Sequence, residues 1–391
     1  MRHYQAVSLR LPIEASIRSG NPWIFEDALY PSEIQTGNVV DVYSTDGDFL
    51  ARGIYDGDSP IRVRVFTLFQ DQDLNQALID KRIKSALKRR PFPSPDTTGF
   101  RLLHGEGDLF PGLVCDVYGE TAVLRPDGVA AERWLKGARQ TIGRLLPIKY
   151  WAIRRARVHT QGKAAAQWWG DKPEEPVRFL EGGLTYEVDP IEGQKTGFFL
   201  DQRANRRRLA KVTRGKRLLN LFGYTGGFSL AAAAEGAART TTVDLAAPAI
   251  QAARRHFELN DLPSSAHEFV AADVFDYLEP FGYASAPFEV LVCDPPSFAH
   301  RRDDVPQAMA KYVELFARCL EIMPDESTVA LASCSSHIHR QRFEEILREA
   351  TMKAGVSYVL SGLFGADSDH PTLPGFPEGD YLQFALGTIA R

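Results

Sequence analysis

From residue 186 to the C-terminus, short apolar strands alternate with amphipathic segments of helix length, and this alternation narrows the possible folds more than anything else in the chain. LLNLF (218–222) reads as a strand and GGFSLAAAAEGA (226–237) as a helix. TTTVDL follows as a strand, then PAIQAARRHFELN as a helix with Pro248 in its first turn, where a missing N–H costs nothing. HEFVAAD and FEVLVCD are strands, PQAMAKYVELFARCLEI a helix, and STVALASC a strand. HRQRFEEILREATMKAG is a helix closed by Gly355. VSYVLSGLF and YLQFALGTI end the chain as two apolar runs separated by a long loop. Strands alternating with helices of this length predict an α/β domain, a doubly wound and mainly parallel sheet. The terminal pair is expected to form an antiparallel edge.

In such sheets ligands bind beyond the carboxyl ends of the strands, where the strand order reverses. The unusual residues of this chain fall at those ends. The first strand runs into Gly223-Tyr224-Thr225-Gly226-Gly227, a loop that lets backbone approach a ligand closely and opens a helix whose amides point at it. The second ends at Asp244, where a carboxylate can accept hydrogen bonds from both hydroxyls of a ribose. The third ends at Asp273, within reach of an adenine ring or its amino group, and the fourth at Asp294, followed by Pro295-Pro296-Ser297-Phe298. Any one of these acids alone could be a helix cap or turn former. Together with the glycine loop they point to a nucleoside cofactor. A nicotinamide dinucleotide is disfavoured, because the loop reads FGYTGGF and lacks G-x-G-x-x-G.

The first 185 residues are of another kind. Residues 1–70 read as short strands and turns, with Asp46-Gly47 as a hairpin signal and IRVRVFTLF as a half-buried strand, which suggests a small β-barrel. Residues 71–185 look like a mixed α+β domain. Within them ALIDKRIKSALKRRP has helical periodicity and a face carrying Lys81, Arg82, Lys84, Lys88, Arg89 and Arg90; a second helix is expected near 129–145. The formal net charge is −4, so contact with nucleic acid must come from local patches rather than a generally basic surface. A second patch gathers Arg203, Arg206, Arg207, Arg208, Lys211, Arg214, Lys216 and Arg217. Either run could equally be an ordinary solvated face. Four cysteines without metal-ligand spacing, no signal-like N-terminus and no apolar stretch of spanning length lead us to expect a cytoplasmic protein with no bound metal and no membrane partner.

The stretches EGGLTYEVDPIEGQKTGFFLDQRANR, LLNLFGYTGGFSLAAAAEGA, VCDPPSFA, ASCSSH and DHPTLPGFPEGDYLQ resemble the class I, S-adenosylmethionine-dependent methyltransferases that make 5-methylcytosine in large-subunit ribosomal RNA. GNPWIFEDAL with ARGIYDGDSPIRVRVF resembles that family's N-terminal PUA domain, and HGEGDLFPGLVCDVYG the segment that follows it. The resemblance covers nearly the whole chain. It implies a PUA barrel (1–70), a central α+β domain (71–185) and a Rossmann-like methyltransferase domain (186–391). It also implies an RNA partner and the possibility of a homodimer.

Carried over residue by residue, the resemblance places Phe222, Tyr224, Thr225 and Gly226 around the methionine moiety of the donor. Asp244 would hold the ribose, Asp273 the adenine end and Asp294 the region of the sulfonium. Gln202 and Arg203 would close the pocket, with Lys195–Phe199 as a loop over it and Lys195 and Arg206 among the substrate contacts.

Carbon 5 of cytosine is a poor nucleophile, and covalent addition of a thiolate at carbon 6 is the usual solution. Cys334, in Ser333-Cys334-Ser335 at the end of a strand, is the expected nucleophile. Asp294 is expected to hydrogen-bond the base and Phe298 to stack on it. His337 and His370 are proton carriers or plain polar loop residues. Cys293 precedes Asp294, so strand alternation should turn it into the core, and the proton-abstracting base stays unassigned. Two other readings remain open. DPPSF suits methylation of an exocyclic amine, which needs no cysteine, and the chain could be a non-catalytic RNA-binding assembly factor.

Overall fold

A computed structural model describes residues 4–155, 165–299 and 301–391. The chain divides into two compact units. The first comprises Met1–Gly183, Val188–Leu200 and Ser368–Gly379; the second comprises Leu184–Glu187, Asp201–Asp367 and Asp380–Arg391.

The first unit contains two five-stranded sheets. In one, β1 (Gln5–Ser8), β2 (Trp23–Phe25), β3 (Val39–Tyr43), β4 (Phe49–Tyr55) and β5 (Ile61–Thr67) take the order β1-β3-β4-β5-β2, with α1 (Glu14–Arg18) between β1 and β2 in sequence. Asp46-Gly47 lies in the β3–β4 hairpin, with Gly47 at φ +90°. Next comes α2 (Gln76–Arg89), whose Asn75 side chain caps the Leu78 N–H. The other sheet is β6 (Gly99–His104), β7 (Leu113–Tyr118), β8 (Thr121–Pro126), β9 (Tyr150–Arg154) and β10 (Ala166–Trp168), with α3 (Leu135–Leu145) between β8 and β9. Ile79, Ile83 and Ala86 of α2 share a core with Ala138 and Ile142 of α3 and with Leu102, Val117 and Leu124 of the sheet. A buried polar network fastens the loops of this unit. Arg101 forks onto Asp116 at 2.7 and 2.8 Å, Thr196 donates to the same carboxylate at 2.5 Å, and Asp369 accepts the Arg101 backbone N–H at 2.9 Å. Two further strands, β11 (Val177–Glu181) and β12 (Leu184–Val188), precede the second unit's main elements.

The second unit is built on β13 (Arg217–Leu221), β14 (Arg239–Asp244), β15 (Glu268–Ala271), β16 (Val290–Cys293), β17 (Thr328–Ser333), β18 (Ser357–Phe364) and β19 (Gln383–Ala390). Their order is β15-β14-β13-β16-β17-β19-β18. The first five are parallel, and β19 runs antiparallel between β17 and β18. The expected antiparallel edge is therefore present, with the last strand of the chain inside it. The helices are α4 (Arg203–Ala210), α5 (Gly227–Ala234), α6 (Ala247–Leu259), α7 (Val274–Leu278), α8 (Val305–Ile322) and α9 (Arg340–Ala354). Gly355 ends α9 at φ +63°, as its sequence signal requires.

Strand periodicity sorts the core onto two faces. Leu219, Leu221, Leu291, Cys293, Val329 and Leu331 pack with Phe316 and Leu320 of α8 and Phe343 and Ile346 of α9. Leu218, Val290, Val292, Ala330 and Ala332 pack on the other side with Leu209 of α4 and Phe228 and Ala232 of α5. Burial on both faces explains why these strands read as unbroken apolar runs, and each fully buried leucine or phenylalanine contributes roughly 1.5–3 kcal/mol. The strand order reverses between β13 and β16, so the crevice lies beyond Leu221 and Cys293, where the glycine loop and Asp294 begin. Among the described residues no helix is long and apolar enough to cross a membrane.

Candidate active site

The loop leaving β13 is held in a costly backbone conformation. Phe222 and Tyr224 adopt φ of 56° and 47°, and Gly226 φ of 75°. Positive φ at two aromatic residues separated by a single glycine is strain of the kind that persists where the surroundings dictate it, most often at ligand sites. The Asp244 carboxylate is one such dictate. One oxygen accepts the Tyr224 N–H at 2.8 Å and the other the Ala246 N–H at 2.9 Å. Each oxygen keeps a second lone pair, so the group can still receive two hydroxyls. Gly226 comes so close to α6 that a Cβ there would lie 2.8 Å from the Ala253 Cβ.

Beneath this loop His256 of α6 is buried, with Nδ1 2.8 Å from the Thr225 carbonyl and Nε2 accepting the Glu187 N–H at 3.0 Å. Burial holds the imidazole below its ordinary pKa, although the neighbouring carbonyls pull the other way. Nothing in the sequence singled out this residue, which sits within a regular helical pattern.

Asp273 caps α7: one oxygen accepts the Phe275 N–H at 2.8 Å and the Asp276 N–H at 3.4 Å. The short α7 lies between HEFVAAD and FEVLVCD, where the sequence pattern assigned no element. The other Asp273 oxygen faces no hydrogen-bond donor among the described residues.

Asp294, one residue beyond β16, accepts a hydrogen bond from Gln202 Nε2 at 2.9 Å. Asn205 in turn donates to Gln202 Oε1 at 2.7 Å, fixing the amide's orientation. Arg203 is fully buried and pairs with Asp367 at 3.1 Å. Asn205 and Asp367 are partners the sequence did not reveal, and Asp367 lies 164 residues from Arg203.

Two cations of the anticipated second patch lie inside the protein rather than on an open face: Arg203 is 1% and Arg206 3% exposed. Both fall on the buried side of α4, a helix the sequence reading did not assign. Arg217 is tied to Glu289 and Arg214 faces Glu235. Arg207 and Lys211 are exposed, Arg207 with its guanidinium 3.7 Å from the Asp367 carboxylate. Lys195 belongs to the first unit, where its ammonium sits 4.3 Å from the centre of the Phe199 ring. His370 also belongs to that unit and is buried, with Nδ1 2.7 Å from Asp369.

The four cysteines separate clearly. Cys115, Cys293 and Cys319 are buried, while Cys334 is partly exposed. Burial, reinforced by Cys319, pushes the Cys293 thiol well above its ordinary pKa, and the side chain faces α8 as alternation predicted. Cys334 follows β17, and its thiol points to the Pro295 carbonyl oxygen at 3.8 Å, next to Asp294. The Tyr312 hydroxyl donates to the Pro296 carbonyl at 3.5 Å, and burial raises its pKa. Phe298 stacks at a tilt on Tyr312, with ring centres 4.7 Å apart. Its other neighbours, Phe275, Gln307, Ala310, Lys311 and Glu314, border a hollow of about 400 Å³.

A protein-family model described as S-adenosylmethionine-dependent methyltransferase matches residues 101–358, and a PUA-like domain model matches 7–68. A protein of Deinococcus radiodurans named "Ribosomal RNA large subunit methyltransferase" is 35% identical over 95% of this chain and 94% of its own. "Ribosomal RNA large subunit methyltransferase I" of Pseudoalteromonas translucida is 32% identical over 97% and 98% respectively. Among solved structures, SMU.776 complexed with SAH superposes with a TM-score of 0.84 at 25% identity, covering 98% of this chain and 99% of that one.

Proposed function

Because this chain belongs to the S-adenosylmethionine-dependent methyltransferase family and carries a PUA-like domain, we propose that it methylates large-subunit ribosomal RNA, forming 5-methylcytosine through a covalent adduct at Cys334. The observation that carries the mechanistic part is the position of Cys334. It is the one partly exposed thiol of the four, and it lies against the Pro295 carbonyl beside Asp294.

Several features of the crevice support this reading of the donor site. Asp244 offers free lone pairs to a ribose, Gly226 leaves the loop without a side chain, and the strained backbone of Phe222 and Tyr224 is already in place. Asp273 offers its uncommitted oxygen to the adenine end, and Thr225 lines the methionine side of the loop. S-adenosylmethionine supplies an electrophilic methyl group on a sulfonium. The protein's own residues do the rest. The Cys334 thiolate adds to carbon 6 of the cytosine and makes carbon 5 nucleophilic. Asp294, oriented by Gln202, hydrogen-bonds the ring and favours its protonation as electron density moves into it. Once carbon 5 has taken the methyl group, loss of its proton drives out the Cys334 sulfur and restores the ring. Phe298 offers a face on which the displaced base rests, since a base within a duplex must leave its stack to be reached.

The test is nucleoside mass spectrometry of ribosomal RNA incubated with the protein and labelled donor. Label in 5-methylcytidine supports the reading. Label in an N-methylated nucleoside refutes the carbon-5 assignment, and absence of label from RNA refutes the substrate.

A further inference from the structure

The first unit holds a pocket that the methyl-transfer chemistry does not use. It has a volume of about 330 Å³ and lies between β5 with the residues that follow it and one stripe of α2. Arg82, Ser85 and Arg89 line it from positions i, i+3 and i+7 of that helix, with Lys81 beside them. Phe66, Leu68, Phe69 and Leu109 supply its apolar surface. The size suits one nucleotide.

The electrostatics of Arg82 are unusual. Its guanidinium donates to two backbone carbonyls, those of Leu109 and Phe66, and lies 5.2 Å from the centre of the Phe66 ring. Among the described residues no carboxylate pairs with it. Both acids that line the pocket are committed elsewhere: Glu106 accepts from Arg64 at 2.7 Å and from the Trp23 indole at 2.8 Å, and Asp108 is clasped by Arg89 and Arg90. Burial lowers the Arg82 pKa to about 10, which still leaves it charged at neutral pH. A partly desolvated cation without a counter-charge, facing an open cavity, is a place where an anion is favoured. Phe69, on the same pocket, is 68% exposed, a large ring presented to solvent.

We propose that this pocket receives single-stranded RNA, one phosphate lying against Arg82 and Lys81 and an adjacent base stacking on Phe69. The occupant follows from the pairing of features, because an anion site alone would suit any acidic ligand, whereas an exposed aromatic lining the same pocket adds a stacking surface for a base of an unpaired strand. The assignment rests on the RNA-substrate reading and adds to it a contact outside the methyl-transfer crevice.

The experiment measures binding of the full chain to a fluorescein-labelled single-stranded ribosomal RNA fragment across a salt series, for wild type, Arg82→Gln, Lys81→Gln and Phe69→Ala. Loss of one phosphate contact should reduce the slope of log K against log salt by about 0.7 in Arg82→Gln. Phe69→Ala should weaken binding about tenfold at every salt concentration without changing the slope. Donor binding, read by calorimetry, should be unchanged in all three. If wild type binds RNA and the variants match it in affinity and slope, the pocket assignment is overturned and the substrate reading stands. If wild type binds the donor but no RNA, both fall. Should Arg82→Gln melt early, Phe69→Ala decides the matter alone, since its ring lies on the surface.

Discussion

His256 reaches the glycine loop from below, its Nδ1 2.8 Å from the Thr225 carbonyl oxygen, while its Nε2 takes the Glu187 N–H at 3.0 Å. One side chain thus joins α6, the glycine loop and the segment before α4. Burial, the largest influence on this ring, lowers its pKa in the folded state. A depressed histidine pKa means that the unfolded chain binds the proton more readily. The stability it contributes is therefore complete above the unfolded value of about 6.5 and is lost progressively as pH falls below it. His267, half-buried and shifted in the same direction, adds to the same trend. Urea midpoints should fall between pH 7.5 and 5.5 in wild type and fall less in His256→Gln. Equal pH dependence in the two proteins would remove His256 from this role.

Gly226→Ala should be disproportionately harmful for a single methyl group. The residue has φ +75°, and the new Cβ would sit 2.8 Å from that of Ala253. Strain and overpacking together should cost about 2–4 kcal/mol of stability. Thermal melting reads this cost. Calorimetry with S-adenosylmethionine should show weakened donor binding even at temperatures where the variant is folded, because Thr225 and Tyr224 move with the loop.

Asp244→Ala should abolish or sharply weaken donor binding for two separate reasons. The carboxylate's spare lone pairs are lost to the ribose, and the Tyr224 and Ala246 N–H groups lose their acceptor. Hydrogen bonds to a charged group are worth about 1.5–3 kcal/mol each, so a drop in affinity of at least tenfold is expected. Asp244→Asn keeps one acceptor oxygen and should fall between the two. An Asp244→Ala protein that binds donor like wild type would show that the ribose sits elsewhere.

The sequence already made much of this site readable. Strand ends carry chemistry in a parallel sheet, so the positions of Asp244, Asp273 and Asp294 followed from periodicity alone. The fate of Cys293 followed from strand alternation in the same way. The unread parts depend on contacts between distant segments. Nothing local marks Asp367 as the partner of Arg203, or Gln202 as the orienting group for Asp294. Nor does a run of arginines show which side of a helix is buried: the eight cations from Arg203 to Arg217 look alike as letters, yet α4 places Arg203 and Arg206 inside and Arg207 outside. A short helix such as α7 carries too little periodicity to stand out, so Asp273 was legible as an acid at a strand end but not as the cap it also is.

Cys334→Ala tests the covalent route against the amine route that DPPSF alone would support. The thiol is positioned at the Pro295 carbonyl, 3.8 Å away, and no other cysteine is even partly exposed. If it adds to carbon 6, Cys334→Ala should lose RNA methylation below detection while binding donor normally, because the Asp244 and Gly226 contacts are untouched. Cys293→Ala is the matched control. It removes a buried thiol from the α8 face, should lower the melting temperature modestly through a small cavity, and should leave turnover per folded molecule unchanged. A trapping experiment reads the adduct itself. RNA bearing 5-fluorocytidine at the target offers no proton at carbon 5, so methylation should stall with sulfur still bound and give a band that survives denaturing electrophoresis. That band should form with wild type and Cys293→Ala and be missing with Cys334→Ala. Full methylation by Cys334→Ala would mean that the thiol is a bystander and that the base is attacked without covalent help.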